Sequence, residues 1–363
     1  MIPSKEQLLE ALNSVQEPDL KKDIISLNLV SDFVLTENMV AFSVKVHNPA
    51  MHSRKKMEDA CEFAIHRFIS KEITVKVDVV PLPQDSGQRT VLPGVKNIIA
   101  VSSGKGGVGK STVTSNLAVG LVQQGYTVGL VDADIYGPSM PLMFDVKNEK
   151  PITIDVDGKN YIQPVENYGV KMLSIGFFAD ANQAIVWRGP MASKALRQMF
   201  LDTYWGELDY LLIDLPPGTG DIHLSLVETV PVTAAIVVTT PQGIALADAK
   251  KGIGMFQLEN IKVPVLGIIE NMAYFTPAEL PNNKYYIFGK QGGRDLAEQL
   301  SVRLLGEIPL VQSICEAGEA GRPAILQQTT PQAIAFTSMV NEVVKATEIR
   351  NKTMAPTKLV KKN

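Results

Sequence analysis

The residues best suited to chemistry sit together in one short run, GKGGVGKS from Gly104 to Ser111. Gly104, Gly106, Gly107 and Gly109 let the backbone turn tightly enough for several N–H groups to face one phosphate chain. The spacing through Gly109, Lys110 and Ser111 satisfies the full phosphate-loop pattern, with Lys110 for the outer phosphates of a nucleotide and the Ser111 hydroxyl for Mg²⁺. Val108 and Thr112 complete the backbone of this cradle, and a helix opening near Lys110 adds its positive end. The flanks agree: Ile98 to Val101 is an apolar run fit for a buried parallel strand, and Val113 to Gln124 reads as a helix. Lys105 is a charge that an ordinary phosphate loop does not need, and by itself it reads as a solvated loop lysine.

Carboxylates follow at the ends of later strands. Asp132 and Asp134 lie in DADIYGPS, on a loop expected to face the phosphates. Either aspartate could cap a helix; as chemistry, Asp134 is the candidate to orient an attacking water or meet Mg²⁺. Asp214 closes the strand-like Leu211–Leu212–Ile213 and stands where an acid behind the waters of Mg²⁺ is wanted. The next residues, PPGTGD from Pro216 to Asp221, form a loop in which the Gly218 N–H is placed to sense a terminal phosphate. His223 beside it reads as structural.

These residues need a scaffold that gathers strand ends. Strand-like stretches at Val128–Asp132, Lys171–Ile175, Tyr210–Asp214, Ala234–Thr239, Val265–Ile269 and Leu304–Ile308 alternate with helical ones. That pattern argues for an α/β fold with a mostly parallel sheet covered on both faces, whose ligands gather at the carboxyl ends of the strands. A smaller α+β domain precedes it. Leu8, Leu12 and Val15 recur at helical spacing; Val40, Phe42, Val44 and Val46 alternate as in a half-buried strand, as do Ile73, Val75, Val77 and Val79. Met57, Cys61, Ala64, Ile65 and Phe68 share one helix face, with His66 opposite and solvated. The expected division is a small domain at 1–80, a Pro/Gly-rich linker at 81–96, the nucleotide domain at 97–345 and a disordered tail at 346–363.

Composition narrows the class. In 363 residues, 45% are hydrophobic, 20% are charged and the net charge is −3, so no bulk charge argues for nucleic acid. The start, MIPSKEQLLEAL, lacks the apolar core of a signal peptide, no uninterrupted apolar run approaches a membrane span, and a cytoplasmic protein is the default. Two cysteines, Cys61 and Cys315, are too few for a disulfide framework and show no paired metal-ligand spacing. Cys61 belongs to the apolar stripe and reads as a packed thiol; Cys315 has no cysteine near it. His47 and His52 flank an Asn-Pro-Ala-Met turn without a third ligand.

DADIYGPSMP at 132–141, WRGPMASKAL at 187–196, DLPPGTGD at 214–221, TTPQGIALADAKKGIGMF at 239–256 and GRPA at 321–324 resemble the Mrp/ApbC family of ATPases, described as iron–sulfur cluster carriers. The likeness spans about residues 95 to 345, and the segment to about residue 80 resembles the small iron–sulfur-assembly domain often fused to them. GKGGVGK is similar to the deviant phosphate loop of the MinD, ParA and nitrogenase-reductase ATPases. What the resemblance implies is Mg-dependent ATP hydrolysis in a nucleotide-sandwich homodimer, coupled to cluster transfer to apo iron–sulfur client proteins. It further implies that Lys105 reaches the partner's nucleotide and that Asn271 reads the adenine edge; a turn residue is the plain alternative for Asn271. Two features depart from the family. No cysteine follows Glu270–Asn271–Met272 through Gly293, where a Cys-x-x-Cys is usual, and Pro49–Ala50–Met51–His52 has methionine where the small domain commonly has cysteine. The iron–sulfur ligands are therefore unassigned. The alternative is a nucleotide-switched positioning or scaffold protein of MinD/ParA type that carries no cluster. The tail from Lys345 to Asn363 lacks the apolar face a membrane helix would need. The Tyr274–Phe288 insert reads as a partner contact or as a plain hairpin.

Overall fold

Residues 4–17, 22–27, 29–36, 39–46, 51–81, 91–135, 137–178, 189–259, 261–277, 279–280 and 283–359 are described by a computed structural model. The chain divides into two compact units, Met1–Gln88 and Arg89–Asn363. The expected linker at 81–96 straddles that division; 82–90 lie outside the described residues, and Val95 already begins a strand.

In the first unit, helix α1 (Lys5–Leu12) starts at a capping box: the Gln7 N–H donates to Ser4 Oγ, and the Ser4 N–H to Gln7 Oε1. A two-residue pair, β1 (Gln16–Glu17) with β2 (Lys22–Asp23), leads to β3 (Val30–Leu35), β4 (Met39–Val46), helix α2 (Met51–Phe68) and β5 (Thr74–Pro81). The sheet order is β3-β4-β5, antiparallel then parallel, and the parallel step uses α2 as its crossover. Val40, Phe42, Val44 and Val46 point into a core with Leu8, Leu12, Met57, Cys61, Ala64 and Ile65. Phe68 does not join it. It is the last residue of α2 and is 58% exposed, with the Arg67 guanidinium over its ring. His66 is half-buried rather than solvated, its Nε2 2.9 Å from the Ile73 carbonyl oxygen. His47 and the Asn48–Ala50 turn lie outside the described residues.

The second unit runs β6 (Val95–Ser103), α3 (Lys110–Gln123), β7 (Val128–Asp132), the short α4 (Met140–Met143), a hairpin of β8 (Ile152–Val156) and β9 (Lys159–Gln163), β10 (Val165–Asn167) and β11 (Val170–Ser174). It continues with α5 (Gly189–Leu201), β12 (Leu208–Asp214), α6 (Asp221–Thr229), β13 (Ala234–Thr239), α7 (Gly243–Gln257), β14 (Val265–Glu270), α8 (Gly292–Gln299), β15 (Arg303–Glu307), α9 (Gln312–Glu319) and α10 (Pro331–Thr353). The strand order is β10-β11-β7-β12-β6-β13-β14-β15, parallel throughout except for the edge strand β10. This is the α/β fold with a mostly parallel sheet read from the sequence. Unbroken apolar runs such as Ile98–Val101 and Ala234–Val238 are fully buried because helices cover both faces.

The tail is ordered further than composition suggests. α10 continues to Thr353 because Phe336, Val340, Val343, Ala346 and Arg350 extend one buried stripe past the expected boundary at 346. Beyond it, Thr357 Oγ1 donates to the Thr233 carbonyl oxygen at 3.4 Å. Among the described residues no helix is long and apolar enough to cross a membrane.

The two thiols differ sharply. Cys61 is wholly buried, and burial pushes its thiol up to about 12, whereas Cys315 is exposed on α9. A thiol-specific chromophore at neutral pH is expected to label one cysteine of the native chain quickly and the second only on unfolding. Fast labelling of both would show that the α2 core is not packed as described.

Candidate active site

The glycine run lies between β6 and α3, where the chain must leave a central strand and open a helix within six residues, Gly104 to Gly109. Gly107 and Gly109 hold φ of 81° and 80°, a left-handed backbone that a side chain would strain. Gly104 presses against the Asp248 backbone on α7, and a Cβ on Gly109 would collide with the Asn271 amide. The Asn271 Nδ2 donates to the Val108 carbonyl at 2.8 Å, and its backbone N–H donates to Thr239 O, so the end of β14 holds the loop from behind.

Lys110 turns inward and is buried. Its Nζ lies 2.7 Å from Asp214 Oδ2 and 3.7 Å from Asp134 Oδ2, and donates to Ser111 Oγ at 3.3 Å. Ser111 Oγ donates to the same Asp214 Oδ2 at 2.6 Å, and Thr114 Oγ1 donates to Asp214 Oδ1 at 2.7 Å. Asp214, wholly buried at the end of β12, thus accepts from three side chains of α3. Thr114 was not anticipated: no motif marks it, and its only signal is its place one turn beyond Lys110.

Asp132 does not face the cavity as its loop position suggested. It is wholly buried at the end of β7, in register with Asp214 on β12. Its Oδ2 accepts from Ser174 Oγ at 2.8 Å and the Met140 N–H at 3.2 Å, and its Oδ1 from the Asp134 N–H at 3.3 Å. Burial, then the neighbouring Asp214 charge, pushes its carboxyl up to about 7. One buried lysine serves two adjacent carboxylates, which disfavours a second negative charge at Asp132.

A cavity of about 240 Å³ opens over Gly106 to Thr112, Asp134 and Pro217. Ser139 also lines it, and its Oγ is buried without a hydrogen-bond partner among the described residues. Lys105 is half-exposed on the loop. The Gly218 N–H donates to the Ser103 carbonyl at 2.9 Å, so in this conformation it is docked on β6. His223 is 1% exposed with Nε2 3.4 Å from Ser102 Oγ, and burial pushes its imidazole down to about 4, which fits the structural reading. A larger groove in the first unit, about 550 Å³, is lined by Asp32, Glu58, Asp59 and Glu62 but has no glycine loop or orphaned buried group. Volume alone does not make it the chemical centre. Among the described residues no group of three or more His, Cys, Asp or Glu is placed to hold a metal ion.

Residues 94–344 match the family model described as NUBPL iron-transfer P-loop NTPase, and residues 5–79 match that of iron–sulfur cluster assembly protein. The chain belongs to the NUBPL iron-transfer P-loop NTPase family. A relative from Synechocystis named iron–sulfur cluster carrier protein is 42% identical, with 93% of this chain and 96% of that protein covered. One of the same name from Aquifex aeolicus is 49% identical over 72% of this chain and 70% of its own length. A solved nucleotide-binding protein from Archaeoglobus fulgidus, in complex with ADP, is 36% identical at a TM-score of 0.58, covering 70% of this chain and 96% of that one. That solved protein shares the fold over the part it covers.

The raised carboxyl of Asp132 has a stability consequence. The native chain keeps a proton that the unfolded chain releases above its ordinary value of 3.8, so nucleotide-free stability falls as pH rises from about 4 to about 7. Urea unfolding across that range is expected to show the fall in wild type and to flatten it in Asp132→Asn. An identical slope in the variant would remove Asp132 as its source.

Proposed function

We propose that this chain is an ATP-hydrolysing iron–sulfur cluster carrier or assembly factor that acts as a nucleotide-bridged homodimer, with the cluster as cargo for apo client proteins. The observation that carries the proposal is the set of Lys110, Ser111 and Thr114 converging on Asp214 beneath a glycine loop, in a chain of this family. In this reading the N–H groups from Gly104 to Thr112 wrap the phosphates, and Lys110 carries the charge that the outer phosphates share with Asp214. The Ser111 hydroxyl would hold Mg²⁺, which takes few protein ligands beside substrate phosphates, and Asp214, 2.6 Å from that hydroxyl, would accept from the waters of the ion. When bound, that ion neutralises charge on the transferred phosphoryl group. Asp134, close to Lys110, orients the attacking water, and Lys105 extends to the neighbouring subunit's triphosphate. Asn271 commits its amide nitrogen to Val108, leaving its oxygen to meet the adenine edge.

The cargo site is less complete than the ATP site. Iron–sulfur clusters are held mainly by thiolates, with about four ligands to a cluster. Cys61 is buried and its thiol is raised, so a pair of chains offers two exposed cysteines, one Cys315 from each. That shortage favours a second reading, in which the ATPase switches partners during cluster assembly without itself supplying the ligand set.

Asp134→Ala is expected to keep ATP binding while turnover drops by a factor of about 10² or more, as for loss of a positioned proton acceptor. Wild-type turnover in that variant would take Asp134 out of the mechanism. Lys110→Ala is expected to weaken ATP binding in calorimetry, and unchanged affinity would overturn the phosphate-loop assignment. Anaerobic reconstitution with iron and sulfide, read by visible spectroscopy and iron counting, separates the two readings. A cluster lost in Cys315→Ser supports the carrier; no cluster in wild type supports the partner switch.

A further inference from the structure

A second cavity, of about 390 Å³, lies at the amino ends of the strands, the opposite end of the sheet from the phosphate loop. Ile261 and Pro264 give it apolar walls; Arg350, Lys262 and Lys358 line it with three cations against one acid, Glu259. Arg350 comes from the last turn of α10 and is 7% exposed. Its Nη2 donates to the Ala355 carbonyl at 2.9 Å and to Thr357 Oγ1 at 2.8 Å, and its Nη1 donates to Asn351 Oδ1 at 3.2 Å. Its Nε is buried with no partner among the described residues.

Among the described residues every partner of this guanidinium is neutral. A buried charge is costly unless paired with an opposite one, and burial here holds Arg350 below its ordinary value with no carboxylate to offset it. The carbonyl end of α10 contributes only partial negative charge. Lys262 and Lys358 beside it raise the local positive potential further. Mixed walls of this kind, apolar with a few convergent polar groups, are those of a small-ligand pocket, and the volume far exceeds what a bare inorganic ion needs.

We propose that this cavity binds a small organic anion, an oxyanion head on a compact apolar body, with Arg350 as the anchor and Lys262 and Lys358 flanking it. The head supplies the charge that Arg350 lacks, and the body fills the space against Ile261 and Pro264. Because Ala355 and Thr357 are bonded to the same guanidinium, the ligand also fastens the segment after α10 against Thr233.

Phenyl phosphate and benzoate, two heads on one apolar ring, are the probes, each titrated by calorimetry and thermal melting into the full-length chain against sodium chloride of equal ionic strength. Wild type is expected to bind at least one probe and to melt higher with rising concentration. Lys262→Gln/Lys358→Gln is expected to bind about tenfold or more weakly, and Arg350→Met to lose the response. Binding of either probe at the phosphate loop is common to all three proteins and cancels in the comparison. The tighter probe identifies the head as phosphate or carboxylate. The double variant alters only surface lysines and keeps the test decisive should Arg350→Met fail to fold. Equal affinity of wild type and the double variant for both probes, or a response no greater than that to chloride, would reduce Arg350 to a clasp for the segment after α10 and overturn the proposal.

Discussion

The ion pair between Lys110 and Asp214 is the constraint on which the nucleotide domain turns. Neither partner can be solvated, since Lys110 is 6% exposed and Asp214 wholly buried. Removing two such charges from water costs several kcal/mol per ion, and their attraction offsets this only when geometry and further hydrogen bonds are in place. Ser111 and Thr114 supply those bonds, so the helix after the loop is fastened to the end of β12 by three side chains. The second carboxylate beside this pair shares its one cation, and burial beside Asp214 raises it. Asp132 accepts from the Ser174 hydroxyl and from the N–H groups of Met140 and Asp134. A phosphate-binding loop that must hold its shape before a polyanion arrives needs a charge arrangement of this kind.

Strand order makes the arrangement possible. β6 runs between β12 and β13, and β7 lies one strand further out, so Asp132, Asp214 and the start of the glycine loop share one end of the sheet. The connection leaving β6 leads outward to β7, whereas the one leaving β12 crosses to β13 on the other side, and this reversal opens a crevice at that end, where ligands of parallel sheets collect. On the far side, Asn271 beyond β14 and the Asp248 backbone of α7 close against Gly109 and Gly104. The loop is shaped by its glycines and confined by four neighbouring segments that meet only after the sheet has formed.

This explains what was legible in advance. The loop could be read from spacing because each of its residues answers a local demand: a left-handed turn, a charge, a hydroxyl. The buried strands could be read because an unbroken apolar run admits few alternatives, and Asp214 because it terminates one. Thr114 and the raised carboxyl of Asp132 could not: the first depends on how α3 packs on β12 and the second on the register between β7 and β12, neither of which a local pattern encodes. β3 escaped notice because Asp32 takes a left-handed backbone, φ 57°, and shifts the register, breaking the alternation that marks a strand. The last turns of α10 escaped because basic residues mask a buried stripe that ends in an arginine rather than an aliphatic side chain.

The contrast between an intact nucleotide site and a sparse set of thiols has a structural setting. The Met140 N–H, at the start of α4, is held by Asp132, and α4 packs against α9, the helix that carries Cys315. Gly321, just beyond α9, closes against Asp145 just beyond α4, where a Cβ would collide with the backbone. The carboxylate network under the loop and the exposed thiol are thus joined by continuous packing, a condition for coupling and not a measure of it. Whatever leaves or joins at Cys315 does so on a helix braced, through one short neighbour, by the aspartate that also holds the backbone of Asp134.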